Sequence, residues 1–272
     1  VTPRFSSKVV LGRTGLAVSR LGIGSAYGVS EQACRKAFEA GVNYFFWGSL
    51  RTPGMARAIR SIARTERERL VVVLQCYARS ARPIQWSLER GLRTLGIEQA
   101  DILLLGWYNE APSERTLAAV EKMREKGRFR FLGISSHNRA LFRRLAADGI
   151  YDVFHIRYNA AHRGAEKDIF PFLPEDNAPG VVSFTNTRWG SLLKEKNMPP
   201  GVRPPTAPDC YRFVLTNPCV HVALCGPRND AEMEAALTVL ESGPMDGAEL
   251  ARMRTIGDHV HALPTLMSFF LR

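Results

Sequence analysis

The sequence predicts a (β/α)8 TIM barrel, an α/β fold in a single domain, and three observations predict it. Short apolar runs alternate with longer amphipathic stretches along the chain; eight such runs occur; and 272 residues fit the roughly 250 that one barrel uses. The runs cover 21–24, 42–47, 70–76, 102–106, 129–134, 153–156, 181–184 and 220–224. They are rich in Val, Ile, Leu and Phe and often continuously apolar, as expected of parallel strands buried on both faces.

Ahead of the first run, residues 8–19 read as an N-terminal β-hairpin around Gly12-Arg-Thr-Gly15. Ser30 opens a helix over 31–40 that Gly41 stops, and a helix over 84–95 ends at Gly96. Pro112-Ser113 leads into a helix over 114–126, where Leu117, Val120 and Met123 recur at helical spacing before Gly127. Asn138 caps a helix over 139–147 that Gly149 closes, and Asp230 starts one over 231–240. Residues 245–272 hold a last helix, 249–263, and an apolar tail (Leu266, Met267, Phe269, Phe270, Leu271) fit to cover the site, pack under the barrel or meet a partner. The one long irregular stretch, 185–208, carries Pro199, Pro200, Pro204, Pro205 and Pro208; loops of this length usually serve as lids or stay disordered. Without internal repeat or linker, residues 1–272 read as one barrel domain.

The net charge of +11 comes largely from arginines spread along helices, among them Arg57, Arg60, Arg64, Arg124, Arg128, Arg139 and Arg143. Acidic or apolar neighbours interrupt each group, so the pattern describes a solvated basic surface and does not point to nucleic acid. No run of about 18 apolar residues is present, which predicts no membrane span. The segment Val1 to Lys8 lacks the apolar core of a secretory signal. Five cysteines (Cys34, Cys76, Cys210, Cys219, Cys225), odd in number and never in a C-x-x-C pair, fit a reducing cytoplasm and offer no metal site.

Several motifs, in order, resemble the aldo-keto reductases. They are Leu11-Gly-Arg-Thr-Gly-Leu-Ala-Val-Ser19, Gly41-Val-Asn-Tyr-Phe45, Asp101-Ile-Leu-Leu-Leu-Gly-Trp107, Gly133-Ile-Ser-Ser136, the strand-seven segment 181–190, Tyr211-Arg-Phe-Val-Leu-Thr-Asn-Pro218 and Cys225-Gly-Pro-Arg-Asn229. The resemblance implies a (β/α)8 barrel that reduces carbonyls with NADP(H). It also implies a Tyr, Lys, Asp and His tetrad, and there the chain departs: Phe46 aligns with the Asp, Arg51 with the Tyr, Cys76 (or Gln75 after a one-residue slip) with the Lys, and Gly106 with the His. Without a tuned phenol, the alkoxide formed by hydride transfer needs another proton or positive partner.

Barrel active sites lie at the C-terminal ends of the strands, which makes the residues there the candidates. The expected catalytic set is Arg51, Tyr77, Tyr108, His137 and Arg157; Trp47, Trp107, Asn159 and Arg188 are the expected substrate-binding residues. Arg51 would bind a carboxylate, phosphate or enolate rather than protonate an alkoxide. A phenol of Tyr77 or Tyr108 would serve as acid if an arginine lowered its pKa. Cys76 reads as an inert buried thiol rather than a nucleophile. The polar segment from His155 to Glu166 reads as a binding loop.

For the cofactor, the resemblance places Ser135, Ser136 and His155 at the nicotinamide carboxamide, Phe184 against its ring, and Gly226 and Arg228 at the phosphate end. Glu232 aligns near the 2′-phosphate, which its carboxylate would repel. Three functions follow: an NADP(H)-dependent oxidoreductase with a non-standard acid/base set; a non-redox lyase, isomerase or cyclase acting on an anionic or aromatic substrate; and a catalytically silent binding or regulatory barrel. The expected partner is a small molecule, with the arginines favouring an anionic one.

Overall fold

The computed structural model describes residues 4–48 and 50–263. A two-stranded antiparallel hairpin, β1 (Val9–Val10) with β2 (Ala17–Val18), precedes a closed parallel barrel. Barrel strands and helices then alternate: β3 (Leu21–Gly24), α1 (Glu31–Glu39), β4 (Tyr44–Trp47), α2 (Pro53–Glu66), β5 (Val71–Cys76), α3 (Ala81–Leu95), β6 (Ala100–Leu105), α4 (Glu114–Glu125), β7 (Phe129–Ser136), α5 (Arg139–Asp148) and β8 (Val153–Arg157). The chain continues through the short α6 (Ala165–Asp168), β9 (Gly180–Phe184), α7 (Ala207–Thr216), β10 (Val222–Cys225), α8 (Asp230–Leu237) and α9 (Gly247–Ala262). Strand order runs β3 to β10 around the barrel, and β10 pairs with β3 to close it.

Period-two alternation divides the core into two layers. Tyr44, Phe46, Val71, Val73, Ile102, Leu104, Val153, Val182, Val222 and Leu224 fill the barrel interior. The alternate positions, among them Phe45, Trp47, Val72, Leu74, Cys76 and Leu103, pack outward against the helices. The hairpin stoppers the N-terminal end: Leu11, Leu16 and Val18 join the interior cluster. Gly12 there has φ +48°, and a Cβ on it would stand 2.3 Å from the Gly180 nitrogen. The open end is therefore the C-terminal one.

Two segments differ from the sequence reading. The sequence marks helix α2 only through its arginines Arg57, Arg60 and Arg64, without bounds; Pro53 opens its first turn, and Met55, Ile59 and Ile62 on its buried face hold it to the barrel. The stretch 185–208 is not irregular throughout. Two 3-10 turns (Ser191–Leu193, Glu195–Asn197) fold it down, with Leu192 and Met198 buried. The apolar tail from Leu266 to Leu271 lies outside the described residues.

Helix α9 seats itself on the loop after β8 by backbone contact. A Cβ on Gly257 would stand 2.0 Å from the Ala160 carbonyl oxygen. Gly257→Ala should therefore cost about 1–3 kcal/mol in urea unfolding, as overpacking against a backbone does. Gly247→Ala, with nothing within 4 Å, should be neutral or slightly stabilising. Equal effects of the two would show that α9 does not rest on this contact.

Candidate active site

The floor of the open end is built from inward positions of four strands. Tyr44 and His155 face each other across the barrel, Tyr44 Oη to His155 Nε2 at 2.7 Å, both fully buried. Burial pushes His155 down to about 3 and holds the Tyr44 phenol well above its ordinary value, so both are neutral. The Phe46 ring lies 5.4 Å from the His155 ring. Alternation settles the one-residue slip on strand β5: Gln75 faces inward and Cys76 belongs to the outer layer. The Gln75 side chain runs between two glycines; a Cβ at Gly106 would stand 2.4 Å from its Nε2, and one at Gly48 2.5 Å from its Cβ. Neither glycine position can take a side chain while Gln75 keeps this rotamer.

Above this floor three aromatic groups meet. His137, just past β7, makes edge contacts with Trp107 and with Phe184, each at 5.8 Å between centroids. Ser136 pairs with Ile156 and Arg157 with Phe184, which sets His137, Arg157 and Phe184 on three adjacent strand ends. Ser135 Oγ accepts from the Trp107 nitrogen at 3.0 Å, and Trp107 itself sits at φ +58°. Beyond β9, Thr185, Arg188 and Trp189 also adopt positive φ, a rare concentration of strain for non-glycine residues.

Charge at this mouth is one-sided. Among the described residues, no hydrogen bond or ion pair reaches the guanidinium of the half-buried Arg157. Burial, then Arg139 and Arg188, lower its pKa. Burial, then Arg157, lower that of His137, whose Nδ1 is buried without a hydrogen-bond partner among the described residues. His162 is pushed down to about 3 by burial, then by Arg157, Arg188, His261 and Arg139.

The remaining expected site residues are committed elsewhere. The Arg51 guanidinium donates to the carbonyls of Gln75 and Ser87 and to Ser87 Oγ, and stacks 5.2 Å from the Trp47 ring, so it ties strand β5 to α3. Trp47 is buried in the outer layer with its Nε1 on the Thr52 carbonyl. Tyr108 donates to the Ala78 carbonyl; burial raises its pKa despite Arg79 over its ring, the reverse of the expected activation. Asn159 is fully buried and spends its amide on Thr185, Ala161 and His162, which makes it a loop brace. Arg188 is buried with its guanidinium on the Val260 carbonyl. Ser136 Oγ accepts from Asn138 N at the start of α5, and His155 lies beneath Phe46. Arg228 is bound by Glu232 through its Nε, Nη2 and backbone nitrogen. Tyr27 packs over Gly226, where a Cβ would stand 2.6 Å from its ring. Tyr77 is exposed on the rim.

The mouth thus brings together His137, Arg157, Ser135, Trp107 and Phe184. Tyr44 was overlooked as a site-floor residue, although alternation with Phe46 marks it as inward-facing. Among the described residues no three His, Cys, Asp or Glu side chains group to hold a metal, and no helix is long and apolar enough to cross a membrane.

Residues 29–209, two thirds of the chain, match the model of the aldo/keto reductase family. The chain belongs to that family. This aldo/keto reductase is 25% identical to an L-galactose dehydrogenase of Arabidopsis thaliana, over 93% of the chain and 95% of the relative. It is 26% identical to the methylglyoxal reductase YeaE of Escherichia coli K12, over 70% and 69%. Among solved structures, the holo form of aldo-keto reductase AKR11C1 from Bacillus halodurans superposes with a TM-score of 0.78 at 20% identity, covering 92% of this chain and 96% of that one. An aldo/keto reductase from Klebsiella pneumoniae, solved with NADP and acetate, gives 0.69 at 20% identity, covering 93% and 96%. These likenesses carry the barrel fold.

Proposed function

We propose that this aldo/keto reductase is an NADP(H)-dependent oxidoreductase acting on a carbonyl substrate with an acid/base set other than Tyr, Lys, Asp and His. The observation that carries the reading is His137, unpartnered at Nδ1 and walled by Phe184 and Trp107 at the mouth. The naming of two relatives as a dehydrogenase and a reductase supports it. When bound, NADPH would supply hydride chemistry at the carbonyl carbon, and this chain's residues would have to bring a proton to the oxygen. His137 holds the hydrogen bond to that oxygen; its neutral imidazole polarises the carbonyl, and the rim phenol of Tyr77 is the second candidate donor. The nicotinamide end fits Ser135, whose hydroxyl keeps a proton to donate, and the half-exposed Phe184 ring. Five free cysteines suit a reducing compartment such as the cytoplasm.

At the phosphate end, Glu232 already occupies Arg228. Titration of NADPH with its fluorescence as readout should show saturable binding at micromolar concentrations. Glu232→Gln should tighten that binding roughly fivefold by freeing the guanidinium and removing the repulsion. No binding of NADPH or NADH at high micromolar concentration would overturn the redox reading. The same Arg228–Glu232 pair, with Phe46, Gln75 and Gly106 at the floor, favours the non-redox reading in that event.

A further inference from the structure

We propose that the mouth contains an anion subsite centred on Arg157 that takes a carboxylate carried by the substrate. This names the substrate class of the reading above and rests on it: small carbonyl compounds bearing a carboxylate, with an aromatic or otherwise flat body.

The Arg157 guanidinium lacks a hydrogen-bond or ion-pair partner among the described residues. The two cations that act on it are each matched: Arg139 with Asp168 at 2.7 Å, and Arg188 with the Val260 carbonyl. Among the described residues, no carboxylate forms an ion pair with Arg157. A half-buried guanidinium facing other cations gains nothing for the fold, since its charge is partly desolvated and repelled. Groups held in this way are concentrated at binding and catalytic sites.

The surroundings complete a receptor. Of the six buried side-chain polar atoms without a hydrogen bond among the described residues, two (His137 Nδ1 and Thr185 Oγ1) belong to the ends of the two strands flanking Arg157. Buried polar atoms are nearly always satisfied in folded proteins, so an orphan beside an unpaired cation calls for a ligand. A planar carboxylate matches the guanidinium fork in two parallel hydrogen bonds; the one N–H of neutral His137 then serves the carbonyl oxygen, or a remaining carboxylate lone pair in a ligand that carries no carbonyl. Trp107 and Phe184, each in a T-shaped contact with His137, offer aromatic surface beside it for a flat body.

The test is calorimetric titration of the full chain, without nicotinamide, with three probes: benzoate, benzamide as the neutral isostere, and inorganic phosphate. Benzoate should bind saturably and more tightly than either other probe. Arg157→Gln should weaken it at least tenfold, Arg157→Lys by less, and His137→Phe several-fold, while benzamide binding stays unmoved by Arg157→Gln. Should Arg157→Gln fail to fold, Arg157→Lys and His137→Phe carry the same comparison. Absence of saturable benzoate binding, or benzoate affinity indifferent to these variants, overturns the proposal. Arg157-dependent phosphate binding tighter than benzoate binding overturns the carboxylate in favour of a phosphorylated ligand. Because the titration omits NADPH, a protein that binds benzoate through Arg157 but no nicotinamide would refute the redox reading and leave this one standing.

Discussion

Acidification from pH 6.5 to pH 5 is expected to remove about 2 kcal/mol of stability through His155 alone, and about 4 kcal/mol by pH 3. In the unfolded chain this histidine titrates at its ordinary value of 6.5; in the folded barrel burial pushes it down to about 3. The neutral ring is thus the folded form. Above pH 6.5 neither state binds the proton and the contribution is fully present. Below it the unfolded chain takes up a proton that the folded barrel refuses, so stability falls by about 1.4 kcal/mol per pH unit until the folded value is reached. The cause is local: His155 is sealed under Phe46, and the phenol of Tyr44 at 2.7 Å offers no negative charge to an imidazolium. His162 and His221, pushed down to about 3 and about 4, add in the same direction. Urea unfolding of the wild type and of His155→Gln at pH 5, 6, 7 and 8 would check this. The glutamine keeps a hydrogen bond within reach of Tyr44, and its slope against pH should be shallower by one proton. Superimposable slopes would mean that His155 is hydrated in the folded state.

The barrel was legible because its strands are buried on both faces, which forces continuous apolar runs such as Val71–Leu74 that no surface strand would carry. Glycines after helices marked the stops at Gly96 and Gly149, both left-handed in the structure. The site was legible only in part, because the strand period is two and one residue of register decides which layer a side chain enters. Cys76 and Gln75 exchange places on that count, and Trp47 falls outside the barrel on the same count. Arg51 was misread for a different reason: its acceptors, the carbonyls of Gln75 and Ser87, lie 24 and 36 residues away. No local pattern records them. The Tyr44–His155 pair spans 111 residues and was equally hidden, although each partner sits in a segment singled out on other grounds. The candidates that the structure brings together at the mouth, His137, Arg157, Trp107 and Phe184, are residues at the very ends of strands, where side chains reach the mouth with little other structure left to bind them.

Replacing Asp101 by alanine should destabilise the barrel by about 3–5 kcal/mol, the range for breaking a buried ion pair from one side. Its carboxylate, almost wholly buried at the start of β6, accepts from Arg67 and from the Val72 nitrogen through one oxygen, each at 2.8 Å, and from Arg130 through the other at 3.2 Å. Alanine would leave the Val72 N–H and a partly buried guanidinium without acceptors, and those orphans carry most of the cost. Arg130 is nearly half exposed, so its share is small. Asp101→Asn, which keeps an acceptor for Val72 but not the charge, should recover part of the loss in urea unfolding. Arg67→Ala in the Asp101→Ala background should add less than it does alone, because the two residues share one interaction. The pair stands at the N-terminal end of β6, the opposite end of the barrel from Trp107 and His137. Below the unfolding transition, benzoate affinity should therefore equal that of the wild type. A parallel loss of stability and affinity would show that the two ends of the barrel are coupled and that the mouth depends on Asp101 for its shape.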